Sequence, residues 1–172
     1  NNGKHRIIFR DDGCGIAQEY ELRGKKYRGL EHVLSFGGRI AHEHRPFAIG
    51  RFGWGLSQTA SSLSERTEVY TKTANDANWR YSYYDYQELS EDEDCFVPSE
   101  TLRDPPYIAQ TLSGTVVILD DIKSDEFKQT TRMANMFKRE FGRVYRKFIS
   151  SGGSIKIIVE QEGKKAKNFD VE

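Results

Sequence analysis

This sequence has few cysteines, no long apolar run and no net charge, and each of these features excludes a class of protein. Its 172 residues include only Cys14 and Cys95, whose spacing fits neither a disulfide framework nor a metal site. The 26 basic and 26 acidic residues balance, so no net field directs the chain to nucleic acid or to a membrane. No apolar run approaches the roughly 18 residues of a membrane span, and no signal peptide opens the sequence. We therefore expect a reducing cytoplasm.

The overall amino-acid composition indicates a globular protein. Hydrophobic residues make up 37%, aromatic residues 12% and charged residues 30% of the chain. This length is enough to bury a core without disulfides or metals, so we expect one domain over residues 1–172. The first four residues lead almost directly into a predicted strand, which suggests that the sequence is a piece of a longer protein.

Apolar periodicity predicts an α+β fold. We predict strands at residues 5–10, 65–73, 78–86, 114–120 and 154–159. We predict helices at residues 17–22, 29–36, 53–63 and 128–149. Residues 39–49 carry no periodicity and are predicted as a mobile loop, and the acidic segment 87–110 is predicted as a solvated loop or insertion. Together these elements predict a two-layer sandwich, with a mostly antiparallel sheet and helices on one face.

A strand that ends in a carboxylate and then breaks on two glycines is the first candidate site. It reads Ile-Ile-Phe-Arg-Asp-Asp-Gly-Cys-Gly-Ile over residues 7–16. The ionised carboxylate of Asp11 is a pure acceptor and can take an amino hydrogen of adenine. Gly13 and Gly15 let the backbone approach the flat base without a Cβ in the way. A buried carboxylate needs a partner, and Thr115, at the head of a predicted strand, is the natural candidate.

A second glycine cluster, Ile-Gly-Arg-Phe-Gly-Trp-Gly-Leu at residues 49–56, opens a predicted helix. Gly50, Gly53 and Gly55 would expose successive backbone amides at the helix N-terminus, where unpaired N–H groups and the helix dipole favour anions. Each charge-assisted bond from an amide to a phosphate contributes about 1.5–3 kcal/mol. An acidic strand end and an amide-rich turn together predict a site for ATP.

Neither cluster is specific by itself. Asp-x-Gly-x-Gly is most often an ordinary transition from strand to turn. The later glycines do not follow a strand in a βαβ unit, which argues against a Rossmann site, and the sequence contains no P-loop motif. The ordered set of acidic turn, mobile loop, glycine turn and Gly-Thr strand is what favours a nucleotide site.

In this order the motifs resemble those of the Bergerat-fold ATPases. This GHKL group includes gyrase-type topoisomerases, ninety-kilodalton heat-shock chaperones, sensor histidine kinases and MutL-type repair proteins. Residues 11–16 are similar to the second motif of the group, residues 49–56 to its lid-closing glycine motif, and residues 113–119 to its last nucleotide-site strand. Residues 69–73 are close to the chaperones, and residues 35–38 are similar to the Morc-type branch.

The resemblance extends over residues 5–160 and implies a nucleotide site. Asp11 would hold adenine and share a water with Thr115, residues 53–56 would cup the phosphates, and residues 37–50 would form the ATP lid. The residues implied to bind the nucleotide are Asp11, Gly13, Gly15, Ile16, Gly50, Gly53, Trp54, Gly55, Leu56 and Thr115.

One part of the family pattern is missing. In that family a helix before the acidic strand supplies a glutamate that activates water and an asparagine that holds magnesium. This sequence begins ten residues before Asp11, so it does not contain that helix. The resemblance thus implies an ATPase, with ATP and Mg²⁺ as cofactors, for an intact parent protein. It predicts no hydrolysis by this chain alone, in which no catalytic residue or metal ligand is assigned.

Two functions follow from these patterns. The leading hypothesis is an ATP-binding module whose lid closes on ATP or ADP and signals to attached domains or a protein partner, with a homodimer left open. The alternative is a degenerate Bergerat-fold scaffold that binds protein or DNA without hydrolysis. A basic stripe on the last helix is compatible with nucleic acid, although a solvated helix face is the simpler interpretation. The stripe consists of Lys138, Arg139, Arg143, Arg146 and Lys147.

Overall fold

The computed structural model describes residues 5–22, 24–35, 55–91, 97–106, 111–123, 125, 129–160 and 165–171. The chain divides into two compact units, Asn1–Lys123 and Ser124–Glu172. That both units belong to one nucleotide-binding domain stays a prediction.

The first unit is built on an antiparallel sheet of five strands. In chain order its elements are β1 (Ile7–Asp11), β2 (Glu19–Leu22), β3 (Lys25–Arg28), α1 (Gly29–Leu34), α2 (Gly55–Leu63), β4 (Ser64–Lys72), β5 (Arg80–Asp85), α3 (Tyr86–Glu91), β6 (Thr101–Leu102) and β7 (Gly114–Ile122). The order across the sheet is β1-β7-β4-β5-β6, and every pairing is antiparallel. Strands β2 and β3 form a separate hairpin. The predicted α+β class is therefore confirmed.

Alternation of side chains gives this sheet two buried faces, because successive residues of a strand point to opposite sides. On one face a cluster of aromatic and branched residues forms a core: Tyr70, Trp79, Tyr81, Val116 and Ile118. On the other face Val69 and Leu119 are buried. Helix α2 packs on β4 and β7, and α1 packs on β5. The helices contribute Leu30, Leu34 and Ala60 to the buried residues, which gives the predicted two-layer sandwich.

The second unit is a pair of helices with a hairpin. It contains α4 (Thr130–Val144), α5 (Arg146–Ser150), β8 (Ile155–Val159) and β9 (Lys167–Val171). Strands β8 and β9 pair antiparallel, and α4 packs on both of them. Met133 and Ala134 are the buried residues of α4, so its apolar stripe faces the hairpin.

The predicted helix at residues 17–22 is wrong. Glu19–Leu22 is a strand that pairs with Lys25–Arg28. The reversal occurs at Gly24, whose φ of +75° suits a residue without a Cβ. Across the hairpin the rings of Tyr20 and Tyr27 stack with their centroids 5.7 Å apart. Such a cross-strand aromatic pair outweighs the weak helical preference of a short segment.

Two longer predictions also need correction. The single helix expected at residues 128–149 is interrupted at Tyr145, whose ψ is 13°. Gly142 and the β-branched Val144 precede the break, and both residue types lower helix propensity. The acidic segment 87–110, expected as a solvated loop or insertion, contains most of α3 and all of β6. Helix α3 begins at Tyr86, next to Asp85, whose carboxylate accepts the backbone N–H of Gln87 at 3.0 Å and so caps the helix start.

The remaining described elements agree with their predictions to within a few residues. The expected strands correspond to β1, β4, β5, β7 and β8, and the expected helices at residues 29–36 and 53–63 to α1 and α2. Strands β3 and β9 were not predicted. The lid at residues 37–50 lies outside the described residues. Within the part of the chain that the structure describes, no helix has both the length and the apolar content needed to cross a bilayer.

We expect Leu119→Ala to lower the free energy of unfolding by about 2–5 kcal/mol, because it leaves a cavity beneath the helices. Leu119 is 3% exposed and lies in β7, an interior strand of the sheet. Leu102→Ala is the matched control, since Leu102 lies in edge strand β6 and is 69% exposed. Its effect should stay within about 0.5 kcal/mol. Urea unfolding followed by circular dichroism measures both, and equal losses would contradict the assigned core.

Candidate functional site

One row of polar side chains crosses four strands at one end of the sheet. Asp11 in β1 lies opposite Thr115 in β7, and Thr115 lies opposite Thr71 in β4. Thr71 in turn lies opposite Arg80 in β5. Residues directly opposite each other point to the same face of a sheet, so all four side chains share one face. We call Asp11, Thr115, Thr71 and Arg80 the polar row.

Asp11 ends its strand and starts the turn that follows. Its Oδ1 accepts the backbone N–H of Gly13 at 2.9 Å, which folds the chain back over the strand end. A Cβ at position 13 would lie 2.8 Å from that oxygen, so a larger residue there would make the Asp11 carboxylate shift. Asp11 is exposed, and a carboxylate has lone pairs for about four hydrogen bonds. It therefore keeps acceptor capacity for a further donor.

Two threonines follow Asp11 in the polar row. The Oγ1 atoms of Thr71 and Thr115 are 3.5 Å apart. The Thr71 hydroxyl donates to the Gly114 carbonyl at 3.2 Å and accepts the N–H of Ile16 at 2.8 Å. Thr71 is fully buried, whereas Thr115 is partly exposed. Thr115 is thus the more exposed threonine of the pair.

The glycine loop, residues 12–18, packs directly on the backbone of the sheet. Gly15 has a φ of +71°, and a Cβ built on it would lie 2.2 Å from the Lys72 carbonyl oxygen. Gly114 faces the same constraint from the other side, because its Cβ would lie 2.3 Å from the Asp11 carbonyl oxygen. These glycines are required for close backbone contact within the protein, in addition to the access for a ligand that the sequence suggests.

Arg80 closes the row and is 4% exposed. Its guanidinium donates to the Ile16 carbonyl, to Asp76 Oδ2 and to Glu100 Oε2. Asp76 Oδ2 also accepts the N–H of Thr73 at 2.8 Å. Burial acts to raise the pKa of Asp76, but the Thr73 amide and the Arg80 charge outweigh it and hold that pKa below its usual value.

The predicted site residues divide into those that the structure brings together and those it does not describe. Asp11, Gly13, Gly15, Ile16 and Thr115 meet at one end of the sheet. Gly55 and Leu56 form the start of α2. The remaining predicted phosphate-binding residues, Gly50, Gly53 and Trp54, lie outside the described residues. That the amide-rich turn faces the same cavity as Asp11 therefore stays a prediction.

Sequence reasoning assigned no role to Thr71 or Arg80. The sequence contains a pattern that indicates a role for Arg80. It is a charged residue between Trp79 and Tyr81 in an apolar strand, and such a residue needs buried partners. Thr71 carries no comparable signal, since threonine is common in strands. Its role depends on the register with β7.

Comparison with models of known protein families and with curated proteins found no match.

No magnesium ligand set is present in the described segments, where no group of three or more His, Cys, Asp or Glu side chains could hold a metal ion.

We expect Gly15→Ala to destabilise the protein more than Gly24→Ala. Both glycines have left-handed backbones, with φ of +71° and +75°, so both substitutions cost roughly 1–2 kcal/mol in backbone strain. Only at Gly15 does the new Cβ meet the Lys72 carbonyl, because nothing lies within 4 Å of the position at Gly24. The collision should add about 1–3 kcal/mol in urea unfolding. Equal losses in the two variants would contradict the packing of the glycine loop.

The lowered pKa of Asp76 predicts a stability that is lost in acid. A depressed carboxyl pKa stabilises the folded state above the unfolded value of about 4, and the contribution disappears as pH falls through the folded value. Asp76→Asn should therefore be less stable than the parent at pH 6, and the difference should shrink below about pH 4. Urea midpoints across this range measure it, with Asp104→Asn as a control for removing one exposed charge. A difference independent of pH would contradict the prediction.

Proposed function

We propose that the chain is an ATP-binding module of the Bergerat-fold, GHKL type. In this proposal nucleotide binding closes residues 37–50 over the site and signals to attached domains or to a partner. The observation that carries the proposal is the strand register, which sets an exposed acidic residue, Asp11, opposite a partly exposed threonine, Thr115. We also place the protein in the cytoplasm, because its two cysteines fit no disulfide framework.

The donor and acceptor set at the strand end suits adenine. Asp11 has remaining acceptor capacity after its bond to Gly13, and the adenine amino group is a donor. Thr115 can donate or accept, so it can share a bridging water with the carboxylate and a ring nitrogen. In the same pose guanine would present a carbonyl oxygen in place of the amino group, and the carboxylate would repel it. That pose thus favours an adenine nucleotide over a guanine nucleotide.

The start of α2 is the proposed place for the phosphates. Helix α2 runs into β4 without a connecting residue and packs on it. Unpaired amides at a helix N-terminus favour phosphate groups. Gly55 at that end is exposed, with nothing within 4 Å of where a Cβ would be.

The function proposed for this chain is the binding of a nucleotide. ATP would supply the base and phosphates for the two ends of the site, and Mg²⁺ belongs to the proposed intact parent. The described residues offer no group of acidic side chains for the metal. No hydrolytic step is assigned to the side chains of the polar row.

We expect Asp11→Asn to raise the Kd for a fluorescent ATP analogue at least about tenfold, which corresponds to about 1.4 kcal/mol. The reason is that an amide replaces a charge-assisted hydrogen bond with a weaker neutral one. Asp12→Asn is the matched control, because it removes the same charge from the neighbouring exposed residue. Competition by ATP and GTP, measured by fluorescence titration, tests base selectivity.

Two outcomes would contradict the proposal. One is undiminished binding by Asp11→Asn. The other is a folded wild-type chain that binds no ATP, which would favour the degenerate scaffold for protein or DNA.

A further inference from the structure

Both backbone polar groups of Ile16 are held by neighbouring members of the polar row. The N–H of Ile16 donates to the Thr71 hydroxyl at 2.8 Å, and its carbonyl accepts from the Arg80 guanidinium. Thr71 and Arg80 lie opposite each other on β4 and β5. The two strands therefore hold one residue of the glycine loop from both sides.

Arg80 is itself fixed by two carboxylates from different parts of the chain. Asp76, in the turn between β4 and β5, accepts from Nε at 3.4 Å and from Nη2 at 3.3 Å. Glu100, just before β6, accepts from Nη1 at 3.1 Å. The planar guanidinium is thereby set in one orientation before it reaches the loop. A buried cation needs such partners, and its bond to a neutral carbonyl is charge-assisted.

The loop held in this way is bonded to the carboxylate of Asp11, which recognises adenine in the proposed function. Gly13 bonds the Asp11 carboxylate, and Gly15 lies against the Lys72 carbonyl. Ile16 follows directly, so a shift of its backbone would move both glycines relative to Asp11 and Thr115. Arg80 is 4% exposed and its guanidinium bonds Ile16, Asp76 and Glu100, so its influence on the site passes through the loop.

We infer that Arg80 is a positioning residue that, together with Thr71, holds the glycine loop in the arrangement needed for base recognition. The inference rests on the proposed function for its consequence, because it predicts weaker adenine binding when the loop is released. The positioning itself is a property of the protein without nucleotide and can be measured separately.

Hydrogen exchange in the full chain without nucleotide tests the positioning. Arg80→Lys keeps a positive charge for Asp76 and Glu100 but lacks the planar fork that also reaches Ile16. We expect amides of residues 12–18 to exchange at least about tenfold faster in this variant, while amides in β4 and β7 keep their rates. A residue with a merely structural role would change exchange across the whole sheet.

Arg66→Lys is the matched control. Arg66 is also an arginine of this sheet, with hydrogen bonds to Glu68, Asp85 and Tyr81, but it has no described contact with the glycine loop. It should leave exchange of residues 12–18 unchanged. Thr71→Val, which removes the hydroxyl partner of the Ile16 N–H, should reproduce the effect of Arg80→Lys and provides a second variant if the lysine substitution fails to fold.

Nucleotide titration then tests the link to base recognition. We expect Arg80→Lys to raise the Kd about tenfold for ATP and by the same factor for adenosine, because the loss concerns the base end alone. Unchanged exchange in residues 12–18 in both Arg80→Lys and Thr71→Val would overturn the positioning. Faster exchange with an unchanged Kd would overturn the link to base recognition. A wild-type chain that binds no ATP defeats the proposed function, and the exchange result still decides the positioning.

Discussion

The register of β7 with its two neighbours is the constraint on which the candidate site depends. Strand β7 lies between β1 and β4, and its Thr115 is opposite both Asp11 and Thr71. A slip of one residue in either pairing would move a whole set of side chains to the other face of the sheet. The buried branched residues of β7 resist such a slip, since Val116 and Ile118 would leave their cluster. The hydrophobic pattern therefore fixes the position of the polar row.

The sheet holds a second arginine network on its opposite face. Arg66 bonds Glu68 and Asp85, and it stacks over the ring of Tyr83 at 3.8 Å. Burial acts to lower the pKa of Arg66, but its bonds to Tyr81 and Glu68 outweigh this and raise it. Burial, followed by the bond to Glu68, raises the pKa of Tyr70. On each face of the sheet an arginine is thus paired with acidic side chains. A charged group that is buried or partly buried needs such partners.

The two networks differ in what they hold together. Arg66 connects residues of adjacent strands to one another, so its partners belong to the sheet and its immediate continuation. Arg80 connects the sheet to the glycine loop through the Ile16 carbonyl. This difference makes Arg66 a suitable reference for Arg80, because both carry the same charge and similar partners. Only the contact with the loop bears on the proposed binding of a nucleotide.

The sequence by itself determined the elements with strong local patterns. Alternating branched and aromatic residues predicted β4, β5 and β7, and the strand-to-glycine transition predicted β1 and its turn after Asp11. Thr115 was found in the same way, because it heads an apolar strand. These features depend on neighbours in sequence, which periodicity records.

Only the tertiary structure decided which distant residues meet. The β2–β3 hairpin replaced a predicted helix because its stability comes from a cross-strand pair, Tyr20 and Tyr27. Thr71 and Arg80 entered the site through strand register and through bonds to a loop more than 50 residues away, at separations of 55 and 64 residues. No local pattern encodes such contacts, because they arise only when long-range pairing has closed the sheet.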